Sequence, residues 1–244
     1  MKSIKSGRAA SRLLVSFLLT GAIAPIVALS FSNARAGADA PLTGFYLDLG
    51  GSASVGFQPT ESYPHGQPTT EGYANDVVAF EAARGVTLDL TELGCGGETT
   101  TTMISGGDRC YHEDGSQLAD AIAYLRVHDG YEGIVTIDLG FNDLRGCLHL
   151  GSKGQACIEG RMAVLQEQLP YILQNLKGAA GAGVSFVGIG VDDPYLADAL
   201  TGKAGARFAS YSEAVMDQLN NALSAIYASA DIPMATVSSF FNAD

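Results

Sequence analysis

Basic residues are scarce beyond the first 36 positions of the chain. Those positions carry five of the 14 lysines and arginines and none of the 26 aspartates and glutamates. Positions 37–244 therefore hold nine basic residues against 26 acidic ones, a net charge of −17. A charge of this sign disfavours nucleic acid and anionic membrane surfaces as partners, and it favours solubility in an open medium.

Several motifs of metal and nucleotide sites are missing as well. The four cysteines form no C-x-x-C pair, which makes a zinc site a poor expectation. No G-x-x-x-x-G-K-[ST] stretch is present, and Gly181-Ala182-Gly183 precedes a predicted strand instead of following one, unlike a dinucleotide-binding turn. Beyond position 36 no apolar run is long enough to cross a bilayer. We therefore expect no metal, no cofactor and no stable membrane span.

The first 36 residues have the pattern of a secretion signal. Four basic residues between Lys2 and Arg12 precede the apolar run Leu13–Phe31, and Ala34-Arg35-Ala36 is a small-x-small cleavage pattern. An uncleaved anchor is the alternative, but Gly21 and Pro25 inside the run favour export. We expect cleavage after Ala36 and a secreted, monomeric domain over 37–244.

The four cysteines fit an exported chain, where disulfides persist. Three pairings are possible. Pairing of sequence neighbours, Cys95 with Cys110 and Cys147 with Cys157, would close one loop each.

Strand and helix patterns alternate along positions 37–244. Apolar runs at 45–49, 86–93, 134–139, 184–189 and 234–240 predict strands, and 71–84, 116–128, 161–177 and 206–230 predict helices. Pro170 should kink or end the third helix. This alternation predicts an α/β fold, a parallel sheet with helices on both faces, whose strand-to-helix loops meet at one edge.

Three of those loops carry groups suited to acyl transfer. Ser52 follows the first strand and two glycines, where a hydroxyl on rigid backbone could act as a nucleophile. The glycines of 94–97 expose backbone N–H groups after the second strand, and Asn142 offers an amide after the third. Each loop could also be an ordinary turn, and it is the occurrence of all three together that favours acyl transfer.

These blocks resemble a known family. Gly50-Gly51-Ser52, Cys95-Gly96-Gly97-Glu98-Thr99 and Gly140-Phe141-Asn142-Asp143 are similar to the first three motifs of the SGNH (GDSL-type) hydrolases, in the secreted, disulfide-containing esterase and lipase branch. The resemblance implies a three-layer, flavodoxin-like sandwich with five parallel strands, and hydrolysis of small-molecule esters or lipids through an acyl-enzyme. It implies Ser52 as nucleophile, with an oxyanion hole made by Ser52, Gly97 and Asn142.

The chain departs from that family at two places. Gly51 replaces the aspartate of the usual Gly-Asp-Ser, which does not itself act on the substrate. The family's D-x-x-H motif, which supplies the catalytic Asp and His, is absent before Asp244. We expect either a truncated reading of a longer protein, which is the favoured explanation, or a protein of low turnover.

Two further alternatives remain open. His65, His112 and His149 lie in predicted loops near the site and are candidate substitutes for the base, whereas His128 ends a helix at the opposite edge. A non-catalytic secreted protein is the other alternative: it would bind a lipid, an ester or a cell-wall polysaccharide in the same crevice without turnover, or be a purely structural domain in which Ser52 has no special reactivity.

Overall fold

A computed structural model describes residues 42–107, 109–111 and 115–241, and the predicted leader, cleavage site and His112 lie outside these ranges. Its centre is a sheet of five parallel strands in the order β2-β1-β3-β4-β5. The strands are β1 (Leu42–Gly50), β2 (Val86–Glu92), β3 (Gly133–Asp138), β4 (Val184–Ile189) and β5 (Met234–Ala235). The predicted α/β sheet is confirmed, with a strand order typical of flavodoxin-like folds.

Among the described residues, seven α-helices and two 3-10 segments connect and follow the strands. The α-helices are α1 (Tyr73–Ala82), α2 (Thr100–Ser105), α3 (Gln117–Val127), α4 (Phe141–Arg145), α5 (Gly154–Ala179), α6 (Lys203–Ser229) and α7 (Ser238–Phe241). The 3-10 segments are Gly151–Lys153 and Leu196–Thr201.

The two faces of the sheet differ in chemistry. On one face, alternate residues of β1 (Phe45, Leu47 and Leu49) join an apolar core with buried leucines of α5 and α6. On the other face, Tyr46 and Asp48 point toward α1, where the Tyr73 hydroxyl donates to Asp48 Oδ1 at 2.8 Å. The sheet therefore carries helices on both sides, which is the predicted three-layer arrangement.

Several predicted elements differ from the structure. The fifth strand predicted over 234–240 forms but is shorter than predicted, because only Met234 and Ala235 pair with β4 and α7 begins at Ser238. Two predicted loops contain short helices, α2 and α4, and Cys157 lies in α5 instead of in a loop.

Helix α5 also runs through Pro170 and does not end early. Proline lacks the N–H that would bond the carbonyl of residue 166. Both Pro170 and Gln166 are exposed, so that carbonyl lies on the water-facing side of the helix, where solvent can replace the missing donor.

Two disulfides join sequence neighbours. Cys95 pairs with Cys110 at an S–S distance of 1.96 Å, and Cys147 pairs with Cys157 at 1.95 Å. The first links the loop after β2 to the segment before α3, and the second links the segment after α4 to the first turn of α5. Over the part of the chain that the structure describes, no helix has the length and apolar character needed to cross a bilayer.

Candidate active site

The strand register brings the first and third predicted loops together. Gly50, the last residue of β1, pairs with Asp138, the last residue of β3, and the Gly51 N–H donates to the Asp138 carbonyl at 3.0 Å. Gly50 has φ of +133°, and a β-carbon there would lie 2.1 Å from that same carbonyl. Only glycine fits this close approach, so the turn toward Ser52 depends on it.

A crevice of about 680 Å³ opens at this edge of the sheet. Its volume falls in the range typical of small-molecule sites. Ser52 and Asn142 both line it, and both side chains are partly exposed. Its apolar wall comes from several elements and includes Phe57, Val77, Leu139, Phe141, Ile189, Val191, Pro194 and Val237. Its acidic lining residues are Glu71, Glu98, Asp138 and Asp192.

The Asn142 side chain lies next to the residue before Ser52. Its Nδ2 atom is 3.0 Å from the position that a β-carbon on Gly51 would occupy. Asn142 is in the first turn of α4, directly after Gly140, whose φ is +115°. The sharp turn at Gly140 therefore directs the chain from β3 back across the end of β1, and it places an amide donor next to Gly51, in the crevice that Ser52 lines.

The loop after β2 is fixed to the end of β1 by Gln117. This buried side chain accepts from Gly50 N at 2.7 Å and donates from Nε2 to Gly50 O at 3.1 Å and to Glu98 Oε2 at 2.8 Å. Glu98 lines the crevice, whereas Gly97 lies one residue away from the lining, with φ of +99°. The backbone near Gly97 is thus held close to the strand end that carries Ser52.

The second and third loops are joined directly by Asp143. Its buried carboxylate accepts from the Thr100 hydroxyl at 2.6 Å and from Thr100 N at 3.2 Å. Burial raises the pKa of Asp143, and the Thr100 donors lower it in part. This bond fixes α2 against α4, so the two loops that flank Ser52 are positioned as one unit.

Two strand aspartates belong to these surroundings, since Asp138 lines the crevice and Asp48 is hydrogen-bonded to Tyr73, which also lines it. Asp48 is fully buried, and its Oδ1 accepts from the Thr136 hydroxyl at 2.6 Å, while its Oδ2 has no hydrogen-bond partner among the described residues. Burial raises the pKa of Asp48 to about 6. Asp138 stands two residues beyond Thr136 on the same sheet face. Burial, and secondarily the charges of Asp48 and Asp192, raises the pKa of Asp138 to about 7.

The described histidines stand apart from this crevice. His65 is exposed and does not line it. His149 stacks on Phe208 with ring centroids 5.0 Å apart. His128 lies against Tyr124, with Nδ1 2.8 Å from the Tyr124 carbonyl. Within residues 42–107, 109–111 and 115–241, therefore, no imidazole lines the crevice.

Asp48, Asp138, Glu98 and Gln117 were not predicted as site residues from the sequence. A usable signal existed for the two aspartates, because each is the only charged residue in its strand. A charge buried in a central strand is costly unless it has partners or a use. Gln117 and Glu98 gave no such signal, since their roles depend on a contact between residues 67 positions apart in the chain. Among the described residues, no group of three or more His, Cys, Asp or Glu side chains could hold a metal ion.

Solved structures with the same fold include three enzymes. An extracellular lipase from Streptomyces rimosus is 19% identical with a TM-score of 0.53, over 81% of this chain and 82% of that one. Phospholipase A1 from Streptomyces albidoflavus is 18% identical with a TM-score of 0.55, over 81% of each chain. An acetyl xylan esterase from Geobacillus stearothermophilus is 12% identical with a TM-score of 0.50, over 82% of this chain and 78% of that one.

No protein-family profile matches the sequence, and no curated protein matches it. At these identities the likeness establishes the fold, an α/β sandwich shared with lipases and esterases. It leaves the chemistry to be argued from the residues of the crevice.

Proposed function

We propose that this chain is a serine-dependent hydrolase of carboxylic esters. Ser52 is the nucleophile and forms an acyl-enzyme, which water then hydrolyses. The observation that carries the proposal is the meeting of Ser52 and the Asn142 amide in one crevice, at the sheet edge where parallel α/β folds bind ligands. The lipase and esterase functions of proteins with this fold support the same chemistry.

The oxyanion hole of this proposal has three donors, namely the Ser52 N–H, the Gly97 N–H and the Asn142 side chain. The Gln117 and Asp143 hydrogen bonds fix the loops that carry these donors, as a preorganised site requires. The crevice wall is largely apolar and has room for a short acyl group or one lipid chain. The proposed substrate is therefore a small ester or a lipid.

Export and a monomeric state belong to the same proposal. The basic and apolar leader over 1–36 supports secretion, and so do the two disulfides of the domain over 37–244. The mature protein should begin at Gly37 when its N-terminus is sequenced from the secreted fraction. Light scattering after size exclusion should give the mass of one chain.

The test of the hydrolase proposal is turnover of a p-nitrophenyl ester. Wild type should release p-nitrophenol, and Ser52→Ala should lose the activity. Ser224→Ala is the matched control, because Ser224 is exposed on α6 and does not line the crevice. A fluorophosphonate probe should label wild type at Ser52. Equal turnover in wild type and Ser52→Ala would contradict the proposal.

A binding protein on the same fold is the second candidate. The observation that favours it is the lack of any imidazole among the described lining residues. It would bind a lipid, an ester or a cell-wall polysaccharide in the crevice with saturation and without hydrolysis. Isothermal titration with a non-hydrolysable ester analogue, alongside the turnover assay, separates the two candidates.

A further inference from the structure

The crevice that Ser52 lines also contains a carboxyl group that has no role in the proposed nucleophile and oxyanion hole. Asp138 ends β3, lines the crevice together with Ser52, and is only partly exposed. Its Oδ2 atom is 4.0 Å from the position of a β-carbon on Gly51, the residue before Ser52. Asn142 Nδ2 lies at the same position, at 3.0 Å. The proposed oxyanion donor and this carboxyl thus flank the same turn.

The surroundings of Asp138 are those of a proton acceptor and not of a structural ion pair. Within the described part of the chain no lysine or arginine forms a salt bridge with it. The groups that influence it are the carboxyls of Asp48 and Asp192, the phenols of Tyr73 and Tyr227, and the backbone N–H of Ser54. Asp48 in turn faces Tyr46, Tyr73, Thr136 and Glu92. The nearest charges are therefore negative, and they favour uptake of a proton by Asp138.

We propose that Asp138 is the general base for Ser52, and that Asp48 is a positioning residue that sets the pH at which this base works. The inference rests on the proposed ester hydrolysis. It assigns to a strand residue the proton transfer that any serine nucleophile requires. Transfer occurs directly or over one intervening water, the two routes open to a general base.

The reaction balances with Asp138 as the only proton carrier. The Asp138 carboxylate takes the Ser52 hydroxyl proton as Oγ bonds to the ester carbonyl carbon. The resulting carboxylic acid returns that proton to the leaving alkoxide as its C–O bond breaks, which leaves acyl-Ser52. Water then gives a proton to Asp138 as its oxygen bonds to the acyl carbon. That proton finally passes to Ser52 Oγ as the acid product departs.

Ionisation of this base falls in the working range of an enzyme. Because the pKa of Asp138 is raised to about 7, the carboxylate forms near neutral pH and is still basic enough to accept a proton. The rate should rise with pH through that value. Removing the charge of Asp48 lowers the pKa of Asp138, so the rise should move to lower pH.

The experiment is a set of pH–rate profiles of kcat/KM for p-nitrophenyl butyrate, with the Ser52→Ala rate subtracted. In Asp138→Asn, kcat/KM should fall by roughly 10²–10⁴-fold, and its rise near neutral pH should disappear. Asp48→Asn should keep turnover and move the rise toward acid by about one pH unit. Asp217→Asn, an exposed α6 position outside the crevice, should match wild type.

A folding defect is separated from loss of the base by chemical rescue. Asp138→Ala should regain Ser52-dependent turnover when formate is added, because formate supplies a carboxylate in the space left behind. Ser52-dependent turnover that survives Asp138→Asn with an unchanged pH profile overturns this inference and leaves the ester-hydrolase proposal standing. Loss of turnover in Asp138→Ala without rescue, in a variant that melts like wild type, also overturns it. Turnover that does not depend on Ser52 in wild type overturns the hydrolase proposal, and this inference with it.

Discussion

The side-chain amide of Asn142 lies 3.0 Å from the position that a β-carbon on Gly51 would occupy. Gly51 stands where the family that the sequence resembles has an aspartate. In this chain any side chain at that position would press on the amide that is proposed to bind the oxyanion. A β-carbon at position 51 would therefore require the Asn142 amide to move by a few tenths of an ångström.

An aspartate at position 51 should reduce activity. In Gly51→Asp the new side chain displaces Asn142 and adds a negative charge beside the developing oxyanion, so kcat should fall by roughly 10²-fold or more. Gly178→Ala is the matched control, since Gly178 is exposed in α5 and has open space around it. Steady-state kinetics with a p-nitrophenyl ester makes the comparison. A variant as active as wild type would show that Asn142 does not need this space.

The amide of Asn142 can be tested directly. Asn142→Ala should lower kcat by roughly 10²–10³-fold with little change in KM, because an oxyanion donor acts mainly in the transition state. Thermal melting should stay close to that of wild type, since Asn142 is partly exposed in a short helix. An effect on KM alone would instead assign Asn142 to substrate binding.

Folding stability should depend on pH through Asp48 and Asp138. Their pKa values, about 6 and about 7, exceed the ordinary value of 3.8, so the folded chain holds protons that the unfolded chain releases. Their contribution to stability is fully present below about pH 4 and is lost as the pH rises through 7. Asp48→Asn should therefore be more stable than wild type at pH 8, by on the order of 2 kcal/mol, and the difference should shrink near pH 4.

Urea unfolding at both pH values measures this difference. Asp217→Asn again serves as control, because its exposed carboxyl should leave the pH dependence unchanged. An Asp48→Asn variant whose stability difference from wild type is the same at pH 4 and pH 8 would refute the linkage.

The charge of the crevice should select among substrates. Four carboxyl residues line it, and no lysine, arginine or histidine does so within the described chain. The kcat/KM for p-nitrophenyl hemisuccinate, whose acyl group is anionic, should be roughly tenfold below that for p-nitrophenyl butyrate. Added salt should narrow the gap by screening. Equal rates for the two esters at low salt would argue against an acidic binding region.

Most of the fold could be predicted from the sequence, because the patterns that indicate strands and helices are local. Apolar runs that end in glycine identified four of the five strands, and the neighbouring cysteines pair as their spacing suggests. The fifth strand is shorter than its composition predicts, since residues 236–240 are strand-like but lack a neighbouring strand to bond. A strand forms only where its ladder partners exist, and that information is not local.

The site was accessible only in part. Ser52 and Asn142 could be chosen because each follows a strand, and strand ends meet by topology. The hydrogen bonds of Gln117 and the position of the Asp138 carboxyl depend on the β1–β3 register and on the turn at Gly50. These contacts are set by packing between segments far apart in the chain, so the spacing of residues in the sequence does not predict them.

Strand β5 is short, and this limits association of the protein through the edge of its sheet at high concentration. An edge strand exposes unpaired N–H and C=O groups that can recruit a strand from another molecule. Here the edge strand offers two residues before the backbone turns into α7, and the opposite edge, β2, carries an exposed aspartate at Asp89. Neither border of the sheet is a long, flat, uncharged template, so intermolecular strand addition and fibril growth are disfavoured in the native protein.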